Sequence, residues 1–423
     1  MKKTVMSIVL VVAFLLFMFI PVETKAETKK EILEISSVSE LKEFASKVNS
    51  GKDYAGEVIR LTANIEFDNS VNNFNKIGNC ESGYGSKNIP FCGEFDGAGY
   101  TISGIDCEGN GFFSLTQGAT IKNLVLKDCT FDGGEFNTGS IVGNAYSTTI
   151  YNCHVIGGNV SAKSPERGSN IIERRGCLGG LAGYCKGSEI INCSNSSEII
   201  GDGLDVGGLV GLLSGDVCNS YNAGAVKAVY SGGIIGTSDS NTTVQNCYNI
   251  GNAKYGIARE GKGTYGNCYC SEESAEMNFN AVEREKNVKA YSLSFMNSDD
   301  FLTILNTNAK SKDDWMAWEF NKNSEYPQLA KPIEQKLLVT PSKTTIKSSA
   351  LKKKAAEFKI KVSSSKTKIG YKVVSGKKYL SVSNKGTVKV KKGTPKGTYK
   401  INVTAPENAK FKSASKKVTI VVK

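Results

Sequence analysis

Histidine is nearly missing from this chain of 423 residues, which has one, His154, and only two tryptophans and eight prolines. A single imidazole excludes any metal site built on a histidine pair, and any Ser or Cys triad would have to use His154 itself. No HExxH stretch occurs, nor an LPxTG stretch. After the first 26 residues no apolar run approaches the roughly 20 residues needed to cross a bilayer. Arginine is absent from residues 331–423, which hold 25 lysines against Glu334, Glu357 and Glu407, a balance of +22. Residues 1–330 carry 28 basic and 38 acidic side chains, a balance of −10, so two bodies of opposite sign share one chain.

What is abundant is repetition. One phrase is written four times: GSIVG (Gly139 to Gly143), GGLAG (Gly179 to Gly183), GGLVG (Gly207 to Gly211) and GGIIG (Gly232 to Gly236). Asparagines follow in step at Asn123, Asn152, Asn192, Asn219, Asn246 and Asn267, at intervals of 29, 40, 27, 27 and 21 residues. A unit this short cannot bury an apolar face alone, so self-similarity at this period implies a solenoid stabilised by stacking of neighbours. The coils are rich in Gly, Asn, Ser, Thr, Val and Ile, which favour turns and strands over helix. The fold class is therefore all-β: a parallel, right-handed β-helix with short helical caps over residues 27–330, a linker at 331–336, and a basic β-sandwich over 337–423.

Equivalent positions of such a stack lie about 4.8 Å apart and form ladders. The six asparagines are expected to make a structural amide ladder at a bend. Two positions earlier stand Ile121, Ile150, Ile190, Val217, Val244 and Tyr265, an inward row. The paired glycines are expected at corners with positive φ, with Leu209/Val210 and Ile234/Ile235 filling the lumen. Tyr221, Tyr248 and Tyr269 share one position; pointing outward they would form an aromatic strip for sugar rings or an apolar protein surface, pointing inward they would be packing. His154 occupies the same column as a ladder member rather than a catalytic base.

Residues 1–26 read as a secretory signal peptide: Lys2, Lys3, an apolar run from Ile8 to Ile20, and a small-residue site ending at Ala26. The mature chain is thus expected to be extracellular or wall-associated, without an integral membrane segment. Ser37 and Glu40 form a capping-box pattern ahead of Leu41, Phe44, Ala45 and Val48, giving an N-terminal cap helix. The first coil is expected at Val58 to Phe67, a projecting loop at 162–175, and a C-terminal cap from Phe295 to Leu305 with Trp315, Trp318 and Tyr326 as anchors. All twelve cysteines lie between Cys80 and Cys270. Those of the repeats read as buried thiols, and Cys80 with Cys92 as a disulfide flanking a glycine-rich loop. In the basic segment, alternating runs such as Phe358 to Val362, Tyr399 to Val403 and Val418 to Val422 are separated by turn signals at Asn384-Lys385-Gly386 and Lys392-Gly393.

The phrases GGLVG and GGIIG, together with NSYNAG (Asn219 to Gly224) and NCYNIG (Asn246 to Gly251), resemble the GLUG-repeat family of secreted bacterial surface proteins, which also occurs beside the catalytic part of some immunoglobulin A peptidases. The resemblance covers roughly residues 30–330, including FDGAGYTISGI and the stretch from Trp318 to Leu329. It implies an extracellular scaffold or adhesive surface. KYLSVSNKGTVKV and GTYKINVTA are similar to group 2 bacterial immunoglobulin-like domains, over about 337–423.

No catalytic, metal or cofactor residues emerge from the sequence. The alternative, a polysaccharide lyase or glycoside hydrolase, needs clustered carboxylates. The scattered candidates are Glu94 with Asp96, Asp128 with Asp132, and Glu173 with Arg174 and Arg175, the two arginines also being candidate ligand contacts. The expected partners are a glycan or protein for the solenoid and an anionic polymer, from a Gram-positive wall or a host glycan, for the +22 segment. Lysines spread along strands without aromatic interleaving argue against nucleic acid.

Overall fold

The structure, a computed structural model, describes residues 32–68, 70–80, 88–164, 176–202, 205–277, 288–322 and 324–423. The signal segment, Glu173, Arg174, Arg175 and most of the loop between Cys80 and Cys92 lie outside the described residues.

The chain winds through parallel sheets of 13, 9, 5 and 6 strands, each built from successive coils in sequence order. One coil runs from Thr149–Tyr151 in the first sheet to His154–Ile156 in the second, Asn159–Ala162 in the third and Leu178–Gly179 in the fourth, and returns to the first in Ala182–Ile191. Pairing is in register, so like residues stack. The column Leu33, Ile59, Phe95, Ile121, Ile150, Ile190, Val217, Val244 and Tyr265 is continuous through nine strands. From Ile59 to Val244 its members are wholly buried, which makes this column the spine of the lumen core. Strands buried on a closed interior read as apolar columns because every rung hides its inward residues against the next.

The first strand is Ile32–Ile35, which pairs in parallel with Val58–Leu61, so the stack begins one rung before the expected Val58 to Phe67. Between these strands helix α1 (Val38–Asn49) covers the open end of the lumen. Ser37 caps it, accepting from the Glu40 amide at 3.3 Å, while the Glu40 carboxylate reaches back to the Ser36 amide at 2.7 Å. Leu41, Phe44, Ala45 and Val48 face the core, where Phe44 meets Tyr54, Phe91 and Phe95 at ring distances of 5.1 to 6.0 Å.

The glycine phrases follow a different physical rule from the one the sequence suggested. None of Gly139, Gly179, Gly207, Gly208, Gly232 or Gly233 has positive φ. What they lack is space. A Cβ on Gly208 would lie 2.0 Å from the Gly233 carbonyl oxygen and 2.6 Å from Asn222 Cγ, and one on Gly233 would lie 2.2 Å from Asn249 Nδ2. The positive φ belongs to the asparagines instead.

After the last coil, the strand Val288–Tyr291 adds to the second sheet. The short helix α2 (Leu293–Met296) and helix α3 (Asp299–Ala309) follow, then a hairpin of Trp318–Glu319 with Gln328–Leu329. This stretch was expected to cap the C-terminal end. It lies along the flank, reaching back from Tyr291 beside the last coil to Asp314 beside Tyr151 and Asn192.

Within the expected linker, residues 331–336, one residue is buried against the basic segment. The buried Gln335 donates to the Lys412 carbonyl at 2.8 Å and accepts from the Lys366 amide at 3.2 Å. Beyond it, a four-stranded sheet in the order Lys343–Ile346, Ala414–Val422, Gly397–Ala405, Gly370–Ser375 and a three-stranded sheet in the order Ala356–Lys359, Thr387–Val390, Leu380–Val382 share one apolar core with Leu351 of helix α4 (Ser348–Lys353). The expected run Phe358 to Val362 is two strands that part at Ile360 and join different sheets.

All twelve cysteines are thiols, and no disulfide joins Cys80 to Cys92. The repeat cysteines instead give their S–H groups to carbonyls of the coil below, Cys193 to Ile150 at 3.5 Å and Cys247 to Val217 at 3.4 Å. Burial raises Cys153 and Cys247 well above the ordinary thiol range and Cys185 to about 12, so none of the three is a ready thiolate.

Gly208→Ala is expected to destabilise the protein by about 3 kcal/mol through overpacking alone. Gly118→Ala, where φ is +62° and nothing lies within 4 Å of the added carbon, should cost only about 1 kcal/mol. Equal costs in chemical denaturation would contradict the spatial role of the glycine phrase.

Candidate functional site

Six successive coils pass from the first sheet to the second through one asparagine with φ between +49° and +58°: Asn123, Asn152, Asn192, Asn219, Asn246 and Asn267. Asparagine tolerates this left-handed backbone because its short amide bonds locally. The side chains then stack, with Nδ2 donating to the Oδ1 of the rung below: Asn152 to Asn123, Asn219 to Asn192 and Asn246 to Asn219, each at 2.7 Å. Asp96 terminates the first run, accepting from Asn123 at 3.0 Å, and Asn308 of α3 terminates the second, donating to Asn246 at 3.0 Å. Asn267 shares the backbone but is exposed.

The second run is occupied by the chain's own flank segment. Asn192 donates to the Asp314 carbonyl at 2.7 Å and accepts from the Met316 amide at 2.9 Å. Asn219 donates to the Met316 carbonyl at 3.0 Å and accepts from Trp318 Nε1 at 2.8 Å. The ladder therefore bonds to the backbone of Asp314 and Met316 and to the indole of Trp318, the latter two residues buried.

The tyrosine strip is covered by the same segment. Tyr221, Tyr248 and Tyr269 are in register and point away from the lumen, and the Tyr221 and Tyr248 rings stack at 5.0 Å. They are nevertheless 7%, 0% and 4% exposed, because Trp318 lies 5.4 Å from the Tyr248 ring and Phe301 packs edge-on against Tyr248 and Tyr269. The Tyr248 hydroxyl donates to the Pro327 carbonyl. Of the two expected orientations the rings take the outward one, but they are packed as a core and not open to a ligand, covered by Tyr291, Phe301, Trp318 and Tyr326. Repetition showed that the rings share one column; the covering segment meets them from 22 (Tyr269 to Tyr291) to 105 (Tyr221 to Tyr326) residues downstream and left no periodic signal.

In the same column His154 and Ser194 are neighbours. The imidazole Nε2 lies 3.1 Å from Asn152 Oδ1, an acceptor, so Nε2 carries the proton and Nδ1, 2.8 Å from Ser194 Oγ, accepts from the hydroxyl. Serine, imidazole and amide thus stand in the order of a hydrolase triad. The chemistry is missing all the same. Burial, with the Lys331 charge nearby, pushes the imidazole down to about 4, and Ser194 is 5% exposed. A base that weak gains little by taking a hydroxyl proton, and a substrate has no approach to the oxygen.

The carboxylate candidates do not converge. Asp96 takes Arg60 at 3.2 Å and the Ala98 amide at 2.9 Å, and Glu94 pairs with Lys122 at 2.9 Å, which fixes the foot of the ladder. Asp128 pairs with Lys127 on the surface, and Asp132 closes a turn by accepting from the Gly134 amide at 3.1 Å. Among the described residues no group of three His, Cys, Asp or Glu could hold a metal ion, and no helix is long and apolar enough to cross a membrane.

Sequence reasoning missed a second amide ladder. Asn195 donates to Asn222 at 2.9 Å and Asn222 to Asn249 at 2.8 Å, all wholly buried, each facing one glycine of the repeated phrase. The recurring second Asn of NSYNAG and NCYNIG was its signal.

No protein-family model matches the chain. Over 243 residues it is 26% identical to the "Immunoglobulin A1 protease" of Streptococcus sanguinis, which takes in 53% of this chain and 12% of that protein. This is a distant likeness to an immunoglobulin A1 protease. A solved structure named IgA1 protease matches 61% of this chain and 21% of its own at 18% identity, with a TM-score of 0.39. The chain thus corresponds to a small part of the relative it matches.

Asn219→Ala is expected to cost about 3 kcal/mol, leaving Trp318 Nε1 without its acceptor and taking one donor each from the Asn192 amide oxygen and the Met316 carbonyl in a buried site. Asn219→Gly should recover about 1 kcal/mol by relieving the backbone, and Asn267→Ala should cost only that backbone share. His154 gives a pH test. Its folded pKa lies below its unfolded value, so the unfolded chain binds more protons between pH 6.5 and 4 and the contribution, present at pH 7, is lost as pH falls through that window. The stability difference between wild type and His154→Gln should shrink by about 2 kcal/mol from pH 7 to pH 4. A difference independent of pH would contradict the neutral imidazole.

Proposed function

We propose that this chain is a secreted or surface-displayed scaffold of the GLUG-repeat type, a right-handed β-helix followed by an immunoglobulin-like domain, that holds ligands without transforming them. The observation that carries the reading is the fate of the reactive side chains. Asn192, Asn219, Asn246, Tyr248 and Tyr269 are bonded to residues of the flank segment, His154 and Ser194 to each other, Glu94 and Asp96 to Lys122 and Arg60. The groups that chemistry would need are those the fold itself uses. The amino-terminal apolar run supports export. The solenoid's ligands are glycans or proteins met outside the cell, and the lysine-rich domain is its tether.

The likeness to an immunoglobulin A1 protease favours a second reading, in which the chain is the accessory scaffold of an extracellular peptidase. It implies recognition of a large glycoprotein and needs no catalytic group in these residues.

The purified full chain should bind members of a glycan and glycoprotein array, immunoglobulin A included, and leave them intact. Turnover of immunoglobulin A, or of any polysaccharide, that disappears on substitution of one carboxylate or of Ser194 would overturn the scaffold reading.

A further inference from the structure

The four-stranded sheet of the basic segment has two unlike faces. Ile401, Val403, Val418 and Ile420 turn inward. Their neighbours Lys400, Asn402, Lys417 and Thr419 turn outward, as do Lys343 and Lys372 on the flanking strands. Register places these in two rows: Lys372, Asn402, Lys417, and Lys400, Thr419, Lys343. Within each row the two lysines stand two strands apart, about 10 Å, and the rows are about 7 Å apart along the strands.

Nothing on the sheet neutralises these charges, since its four strands contain no Asp or Glu. The three carboxylates of residues 331–423 are elsewhere and each has a cation: Glu334 with Lys412 at 2.9 Å, Glu357 with Lys389 at 3.2 Å, and Glu407 with Lys122 of the solenoid at 3.9 Å. Solubility alone would be served by mixed signs. A single-sign face raises the local concentration of anions.

The side chains on this face narrow the anion. Every cation of the segment is lysine. A guanidinium fork fixes one anion in one geometry, whereas ammonium groups on flexible stems tolerate a chain whose charges shift, and they bind phosphate as point charges. Threonine and asparagine between the lysines add neutral donors for phosphate oxygens. Tyr371, Tyr379 and Tyr399 all pack with the core, so the face presents no ring on which a sugar or a base could stack. We propose that the outer face of this sheet, Lys343, Lys372, Lys400 and Lys417 with Asn402 and Thr419, binds an open-chain polyol phosphodiester polymer. This deepens the tether reading above, giving the anionic polymer a chemical class and a binding face.

The test uses the full chain and purified poly(glycerol phosphate) at low salt, with polygalacturonate, single-stranded DNA and phosphatidylglycerol vesicles as competing probes. Two variants remove the same charge: Lys343→Gln, Lys372→Gln, Lys400→Gln, Lys417→Gln on the face, and Lys352→Gln, Lys385→Gln, Lys392→Gln, Lys396→Gln at exposed positions off it. The face variant should bind the polymer at least tenfold more weakly and show a shallower salt dependence, with the second variant within twofold of wild type. Equal loss in both variants, or tighter binding of any competing probe, would overturn the proposal. Because the polymer is pure, the measurement stands even where the chain fails to bind any glycan or protein of the array.

Discussion

Parallel pairing in register is the constraint on which everything else rests. Once the strands of successive coils align, each residue must be compatible with its counterpart above and below as well as with its own surroundings. Apolar columns satisfy this by simple packing. Polar columns satisfy it only when each member is donor and acceptor at once, and the carboxamide is a neutral side chain that offers both from separate atoms. Hence two asparagine ladders run through one solenoid, one at the left-handed corner and one buried against the glycines.

The legible part of the fold was the part that repeats. The asparagines and the apolar residue two places earlier could be aligned by eye, and the capping pattern at Ser37 fixed the start of α1. The reason for the glycines was misread, because a missing side chain signals either unusual φ or crowding, and only coordinates show Asn222 where the Cβ of Gly208 would be. Contacts made once left no trace. The bonds from Asn192 and Asn219 to Asp314, Met316 and Trp318 join residues 97 to 124 apart with no recurring spacing. For the same reason the tyrosine column was recognisable while its cover was not, and two cysteines flanking a loop suggested a bond that the fold does not make.

The opposite charges of the two bodies have a structural counterpart. The solenoid spends its carboxylates locally, in pairs such as Arg60 with Asp96 and Lys122 with Glu94. The terminal sheet concentrates ammonium groups on one surface and keeps aromatic rings in its interior. One body is organised around internal satisfaction, the other around an outward field.

The flank segment also sets an order of events. Coils can add one at a time from the α1 end, since each needs only the coil before it. The outward amides of Asn192 and Asn219 and the rings of Tyr221 and Tyr248 cannot leave water until residues 301–327 arrive. A chain delivered amino end first would therefore assemble its interior progressively and close its wet side in one late step. That closing step acts as a latch: the solenoid emerges as a half-dressed column, and its final stretch locks it against slipping back.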